Sequence, residues 1–106
     1  MSRSLKLRLT ETAEADLTEI WSYLAGAASE SSATEFLSQI QARCGQVSVL
    51  PRSGAPRFHL AADLRVIFHR KYAIYYLVRV DEIIVVRVLH GSRDIAHIAA
   101  EGGFAI

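Results

Sequence analysis

Cysteine is almost missing from this chain: one thiol, Cys44, stands among 106 residues. A lone thiol cannot build a disulfide framework or a thiolate zinc site, so a reducing compartment is expected. Long apolar runs are missing as well. The opening MSRSLKLRLTE alternates polar and apolar residues and then turns acidic, without the apolar stretch of roughly 7–15 residues of a secretory signal. No segment approaches the ~20 apolar residues of a membrane span. A soluble, cytoplasmic protein with no membrane partner is expected. The four histidines, His59, His69, His90 and His97, share no metal-ligand spacing. The glycine-containing tail EGGFAI has no following helix to make a phosphate site. Neither a metal nor a cofactor is expected.

What remains is enough for one domain over residues 1–106. The chain is 51% hydrophobic, and at this length about two-thirds of the unfolded surface can be buried. Net charge is +1 but unevenly spread. Residues 1–50 hold four Lys/Arg against six Asp/Glu, giving −2; residues 51–106 hold eight against five, giving +3. That asymmetry permits an anionic partner for the second half, and a solvated surface explains it equally well.

Leu5, Leu7 and Leu9 alternate with Lys6 and Arg8, which predicts a short strand. Thr10 or Thr12 offers a helix N-cap, with Glu11, Glu14 and Asp16 in the turns that the helix dipole makes favourable to anions. Ala13, Leu17, Ile20, Trp21 and Leu24 recur at helical spacing, to an expected break at Gly26. Ser29, Ser31 or Ser32 caps a second helix with the stripe Ala33, Phe36, Leu37, Ile40, Cys44, Val47 and Leu50, stopped by Pro51. Cys44 lies on that stripe and reads as packing. Residues 51–63 read as a loop, holding both prolines.

After Asp63 the period shortens. Leu64, Val66 and Phe68 alternate with Arg65, Ile67 and His69; Ile74–Val80 is β-branched and aromatic; Asp81-Glu82 turns the chain; Ile83–Leu89 returns. Such strands form an antiparallel meander. The expected fold is α+β, in the order β-α-α-β-β-β, with a helical hairpin on one face of a small antiparallel sheet. A helical turn follows Asp94, and the tail from about residue 99 is expected to fray.

Three segments carry a family resemblance: LRLTETAEADLTEIWSYLA, FLSQIQARCGQVSVLPRSG and LRVIFHRKYAIYYLVRVDEIIVVRVLHGSRD. In this order and spacing they resemble the ParE/RelE superfamily of toxins from type II toxin–antitoxin systems, and its ParE branch (plasmid stabilisation proteins) most closely. The likeness runs from about Leu5 to Asp94. It implies an α+β toxin held inactive by a co-expressed ParD-like antitoxin. ParE-type members poison DNA gyrase, whereas RelE-type members cut messenger RNA on the ribosome. One fold hosts both, so the site must decide.

Cutting RNA without a metal requires an activated 2′-hydroxyl, a stabilised phosphate and a protonated leaving oxygen. RelE-like enzymes use Arg and Lys side chains and a C-terminal Tyr. By resemblance, their arginine falls on Ala73 here and their tyrosine near Ala99, so only Arg93 keeps a matching cation. Catalysis would have to be rebuilt from His90, Arg93 and Arg65, with Lys71 and Tyr72, Tyr75 or Tyr76 as further donors. Tyr75 and Tyr76 are adjacent in one strand and face opposite ways. His90 beside a glycine turn also reads as a strand terminator.

A binding toxin needs only a complementary surface. For target contact the candidates are Arg87, His90, Gly91, Arg93 and Asp94, with Arg79 and Arg87 expected to form a basic stripe on the outer face of the sheet. Arg93 offers a bidentate donor, or else pairs locally with Asp94. For antitoxin contact the candidates are Leu17, Trp21, Leu24, Phe36 and Ile40 on the helical hairpin, Trp21 being equally suited to the helix–helix core. The expected partners are the antitoxin and DNA gyrase, with no sequence-specific nucleic-acid binding.

Overall fold

A computed structural model describes residues 4–106. The chain runs β1 (Lys6–Leu9), α1 (Glu11–Ala27), α2 (Glu30–Val49), β2 (Ala55–Pro56), β3 (Arg65–His69), β4 (Tyr72–Val78), β5 (Glu82–His90) and α3 (Ile95–Ala100). The five strands form one sheet in the order β1-β5-β4-β3-β2. β3, β4 and β5 are the expected antiparallel meander. β1 joins β5 in parallel, so the whole sheet is mixed. No helix among the described residues is long and apolar enough to cross a membrane.

The helices start where the caps are. The Thr10 hydroxyl accepts the Ala13 N–H at 3.0 Å, and Ser29 accepts that of Ser32 at 3.0 Å. Gly26 does not stop α1, which continues to Ala27. One exposed glycine costs a helix only about 1 kcal/mol; the stop comes two residues later, where Ser29 begins the next helix. Pro51 ends α2 as expected, and Leu50 lies outside the helix with its side chain exposed.

The sheet is buried on both faces. Under the α1–α2 hairpin lie Ile67, Ile74, Tyr76, Ile83, Val85 and Val88, with Ile20, Ile40, Cys44 and Val47 from the helices. Burial pushes the Cys44 thiol up to about 11. On the other face Leu64, Val66, Tyr75, Leu77, Ile84, Val86 and Leu89 pack with Ile98 and Phe104. Tyr75 and Tyr76 thus serve opposite cores, and both are buried. The tail does not fray at Phe104, whose ring meets Tyr75 with centroids 4.7 Å apart. Phe68, by contrast, is exposed because nothing covers the end of β3.

β5 changes phase midway. Tyr75 pairs with Arg87 and Tyr76 with Val85, which leaves Val86 as an extra residue in a bulge. Ile83 and Val85 face the hairpin, and beyond the bulge it is Val88 that does so.

The loop before β3 is clamped by Tyr76. Its hydroxyl donates to the Pro51 carbonyl at 2.8 Å and accepts the Gly54 N–H at 2.9 Å. A Cβ on Gly54 would sit against that hydroxyl and 2.8 Å from the Val66 carbonyl oxygen. Gly54→Ala is therefore expected to lower stability by about 1–3 kcal/mol, read by chemical denaturation. Phe104→Ala should cost about 3 kcal/mol, the lower end for a buried phenylalanine because a terminal segment relaxes easily. A frayed tail would leave the midpoint unchanged.

Candidate functional site

β1 pairs with β5 only as far as Val85, while β5 continues to His90. The uncovered backbone beyond Val85 is taken up by α1. Thr10 donates its hydroxyl to the Val86 carbonyl at 3.1 Å. One turn and a half later, Asp16 Oδ2 accepts the Val88 N–H at 3.0 Å. The same carboxylate takes a bidentate guanidinium: Arg87 Nε donates to Oδ2 at 2.8 Å and Nη2 to Oδ1 at 3.0 Å. Arg87 Nη1 then donates to the Gly103 carbonyl at 3.2 Å. This hydrogen bonding to Asp16 holds the Arg87 guanidinium above its already high range, against the opposing effect of burial.

Arg87 therefore does not extend an open basic stripe with Arg79. The bulge and the nearby Asp16 draw it inward, and it fastens α1, β5 and the tail together. Asp16 is equally a structural residue, one of two buried polar side chains among the described residues.

Between the helical hairpin and the ends of β4 and β5 lies an open cleft of about 880 Å³. Its floor is Ile20, Leu24, Phe36, Tyr72 and Val88; one wall carries Glu19, Tyr23 and Glu35, and the other Arg70, Lys71, His90, Ser92 and Arg93. An aromatic row crosses it. Phe36 lies 5.5 Å from His69 and 5.1 Å from Tyr72, and Tyr72 meets His90 edge-on at 5.1 Å. The Gly91 N–H donates to the Lys71 carbonyl at 2.7 Å, fixing the end of β5 to the β3–β4 turn. A Cβ on Gly91 would lie 3.3 Å from that carbonyl oxygen, so the close approach it permits is within the chain.

At the end of β5, His90 Nδ1 accepts the Ser92 N–H at 3.0 Å and lies 2.8 Å from the Ser92 hydroxyl. An occupied Nδ1 places the proton on Nε2, so the neutral ring is a donor at that nitrogen. Arg93 is exposed and makes no ion pair among the described residues. Asp94 does not pair with it: its carboxylate caps α3 by accepting the His97 N–H at 3.1 Å.

The groups suggested for catalysis are only partly assembled. His90 and Arg93 share the cleft, and Lys71 and Tyr72 join them. Arg65 is elsewhere, donating to the Gly54 carbonyl at 2.9 Å and stacking over Phe58. It pairs across the sheet with Tyr76, four residues along from the His69–Tyr72 pair at the cleft end. Ala73 is buried and Ala99 half-buried, both on the far face. Burial, and then proximity to Tyr23, raises the Tyr72 hydroxyl above its ordinary range, so it stays protonated at neutral pH.

The hairpin residues also separate. Leu24 and Phe36 line the cleft. Ile40 is buried in the core and cannot meet a partner, while Leu17 is half-buried against the same core. Trp21 points away from the cleft and donates its indole N–H to Thr34 Oγ1 at 3.2 Å, across the helix–helix seam. Sequence reasoning passed over Glu19, Glu35, Arg70 and Ser92. Asp16 had a usable signal: an acid three residues after Ala13 and four before Ile20 sits on the apolar stripe.

Two ion pairs give a direct test of these roles. Asp16→Ala leaves Arg87 and the Val88 N–H unpartnered and should cost about 3–5 kcal/mol. Arg8→Ala removes the exposed contact with Glu82 (3.2 Å, Arg8 side chain 50% exposed) and should cost under about 1 kcal/mol. Equal losses in urea denaturation would refute the assignment.

The family profile described as the ParE toxin of type II toxin–antitoxin system, parDE, matches residues 7–95. No curated protein matches. Among solved structures, the chromosomal ParDE toxin–antitoxin system from P. aeruginosa is similar at a TM-score of 0.71 and 20% identity, covering 82% of this chain and 96% of that one. The toxin–antitoxin complex RelBE2 from Mycobacterium tuberculosis is similar at 0.59 and 19% identity, covering 85% and 97%.

Proposed function

Because this chain belongs to the family of ParE toxins of type II toxin–antitoxin systems, we propose that it poisons DNA gyrase by binding it, and that a ParD-like antitoxin neutralises it. The observation that carries this reading is Arg93, an exposed guanidinium at the cleft rim with no carboxylate partner among the described residues. Such a group is suited to bidentate recognition of a partner's carboxylate or phosphate. His90 Nε2–H stands beside it as a second donor, with Gly91 and Asp94 holding the turn in shape.

The antitoxin is assigned to the same cleft. Leu24, Phe36 and Tyr72 give it an apolar floor, and a flexible segment that buries them gains roughly 25 cal/mol per Å². That the similar solved structures come from toxin–antitoxin systems supports a partner of this kind. With both contacts in one cleft, an antitoxin segment lying over Leu24 and Phe36 would stand in the way of a target reaching Arg93.

A second reading, ribosome-dependent cleavage of messenger RNA, is favoured by one specific feature: Lys71, Tyr72, His90 and Arg93 line a single cleft. It lacks Arg65, and the His90 Nδ1 lone pair is already engaged by Ser92.

Purified toxin freed of its inhibitor separates the two. Gyrase supercoiling should be lost, and Arg93→Ala should weaken that inhibition by about 30-fold, the size of an interface hot spot, with an unchanged thermal midpoint. Transcripts cut in a translating extract, with gyrase untouched, would reverse the choice.

A further inference from the structure

We propose that the cleft selects its occupant by a charge polarity running across it. The hairpin wall takes basic side chains, the strand wall takes acidic ones, and the segment that fits is an amphipathic peptide helix, not nucleic acid. This rests on the reading that the inhibitory partner docks in the cleft. It adds what that partner's segment must look like.

The two walls come from different parts of the chain. Glu19 and Glu35 project from α1 and α2, and Arg70 and Lys71 form the β3–β4 turn. All four are exposed, and none is in an ion pair among the described residues. The acids line the cleft from the helices and the bases from the turn, and none of the four is paired with another. Glu19 also acts on the Arg87 guanidinium, and the charges of all four reach into the cleft within a screening length of about 8–10 Å.

A nucleic-acid backbone carries one sign of charge throughout. It would be drawn to Arg70 and Lys71 and repelled by Glu19 and Glu35, which the helices place in the same cleft. A peptide helix can carry opposite charges on its two flanks and apolar side chains between them. The floor supplied by Leu24 and Phe36 matches such an apolar face. Charges at an interface rim of this kind chiefly set specificity and encounter rate, through both attraction and like-charge exclusion. Glu19, Glu35, Arg70 and Lys71 are accordingly the specificity-determining residues.

The test uses the full chain and a displayed library of amphipathic helices about five turns long. Their apolar face is fixed, and each flank position is either Glu or Lys. Selection on the wild type should enrich Glu along one flank and Lys along the other. The double variant Glu19→Lys/Glu35→Lys should bind those winners about tenfold more weakly, two lost surface pairs' worth, and should select Glu on both flanks. Arg70→Glu/Lys71→Glu should select Lys on both. These positions are exposed, so thermal midpoints should hold.

Winners that show no flank bias, yet weaken on Tyr23→Asp at a cleft position that is 68% exposed, would defeat the polarity and leave cleft docking standing. Winners indifferent to Tyr23→Asp and to both charge variants, or no winners, would defeat docking and polarity together. Displacement of a winning helix by a single-stranded oligonucleotide of about a dozen nucleotides would overturn the choice of peptide over nucleic acid.

Discussion

One carboxylate decides how the layers of this protein meet. Asp16 accepts three hydrogen bonds, two from Arg87 and one from the Val88 N–H. It is needed because β1 is four residues long and β5 is nine. Past Val85, β5 would present bare backbone toward α1, and unpaired backbone under a helix is costly. Thr10 and Asp16 supply what a longer β1 would have supplied. The bulge at Val86 then lets Arg87 reach the same carboxylate, and its remaining nitrogen reaches the Gly103 carbonyl. Helix, strand and tail are thereby referred to a single point. Buried pairs of this sort add less to net stability than their Coulomb energy suggests, because both ions lose water. Their effect is on geometry: few other arrangements would satisfy both groups.

The cleft lies where the hairpin meets the strand ends: Gln39 reaches His69 at 2.8 Å, and the Phe36 and Tyr72 rings pack at 5.1 Å. Its floor is apolar because it is the exposed margin of the hairpin-side core, where Phe36 and Tyr72 are only half-buried. Its walls are charged because they are surface positions of helices on one side and of turns on the other. The Gly91–Lys71 hydrogen bond keeps the second wall in place. A cleft with an apolar floor and charged walls suits recognition, where complementarity counts for more than a reactive group does.

Much of this architecture is written in short-range pattern. Helical spacing from Ala13 to Leu24 and from Ala33 to Val47, serine and threonine caps, alternation through β1 and β3 and the β-branched, aromatic run of β4 are local signals, and they appear in the structure at nearly the expected places. The helical turn after Asp94 is there, Cys44 is packing, and Tyr75 and Tyr76 face opposite cores. Other signals misled. Gly26 is tolerated inside α1. Phe68 and Leu50 look like core residues and are exposed, because no element lies over them. EGGFAI looks like a loose end, yet Phe104 is buried, since the far face of the sheet needs a cover. Ile40 looks like a possible contact and lies beneath the helices.

The two-residue β2 (Ala55–Pro56) lies in a stretch that reads as a loop. The sequence by itself determined the two long helices, the meander strands and their order, the family to which the chain belongs and the cluster of unusual residues at the end of β5. Each of these depends on neighbours a few positions apart, or on motif order, and survives without knowledge of the packing. Only the tertiary structure decided which charges are spoken for. Asp16 and Arg87 are 71 residues apart, and nothing local marks them as partners. Arg93 makes no ion pair among the described residues, although Asp94 is adjacent to it, because that carboxylate turns to cap α3. Whether a charge is structural or available depends on what the fold brings within about 3 Å of it, and that distance is set through space, across elements that the chain visits far apart.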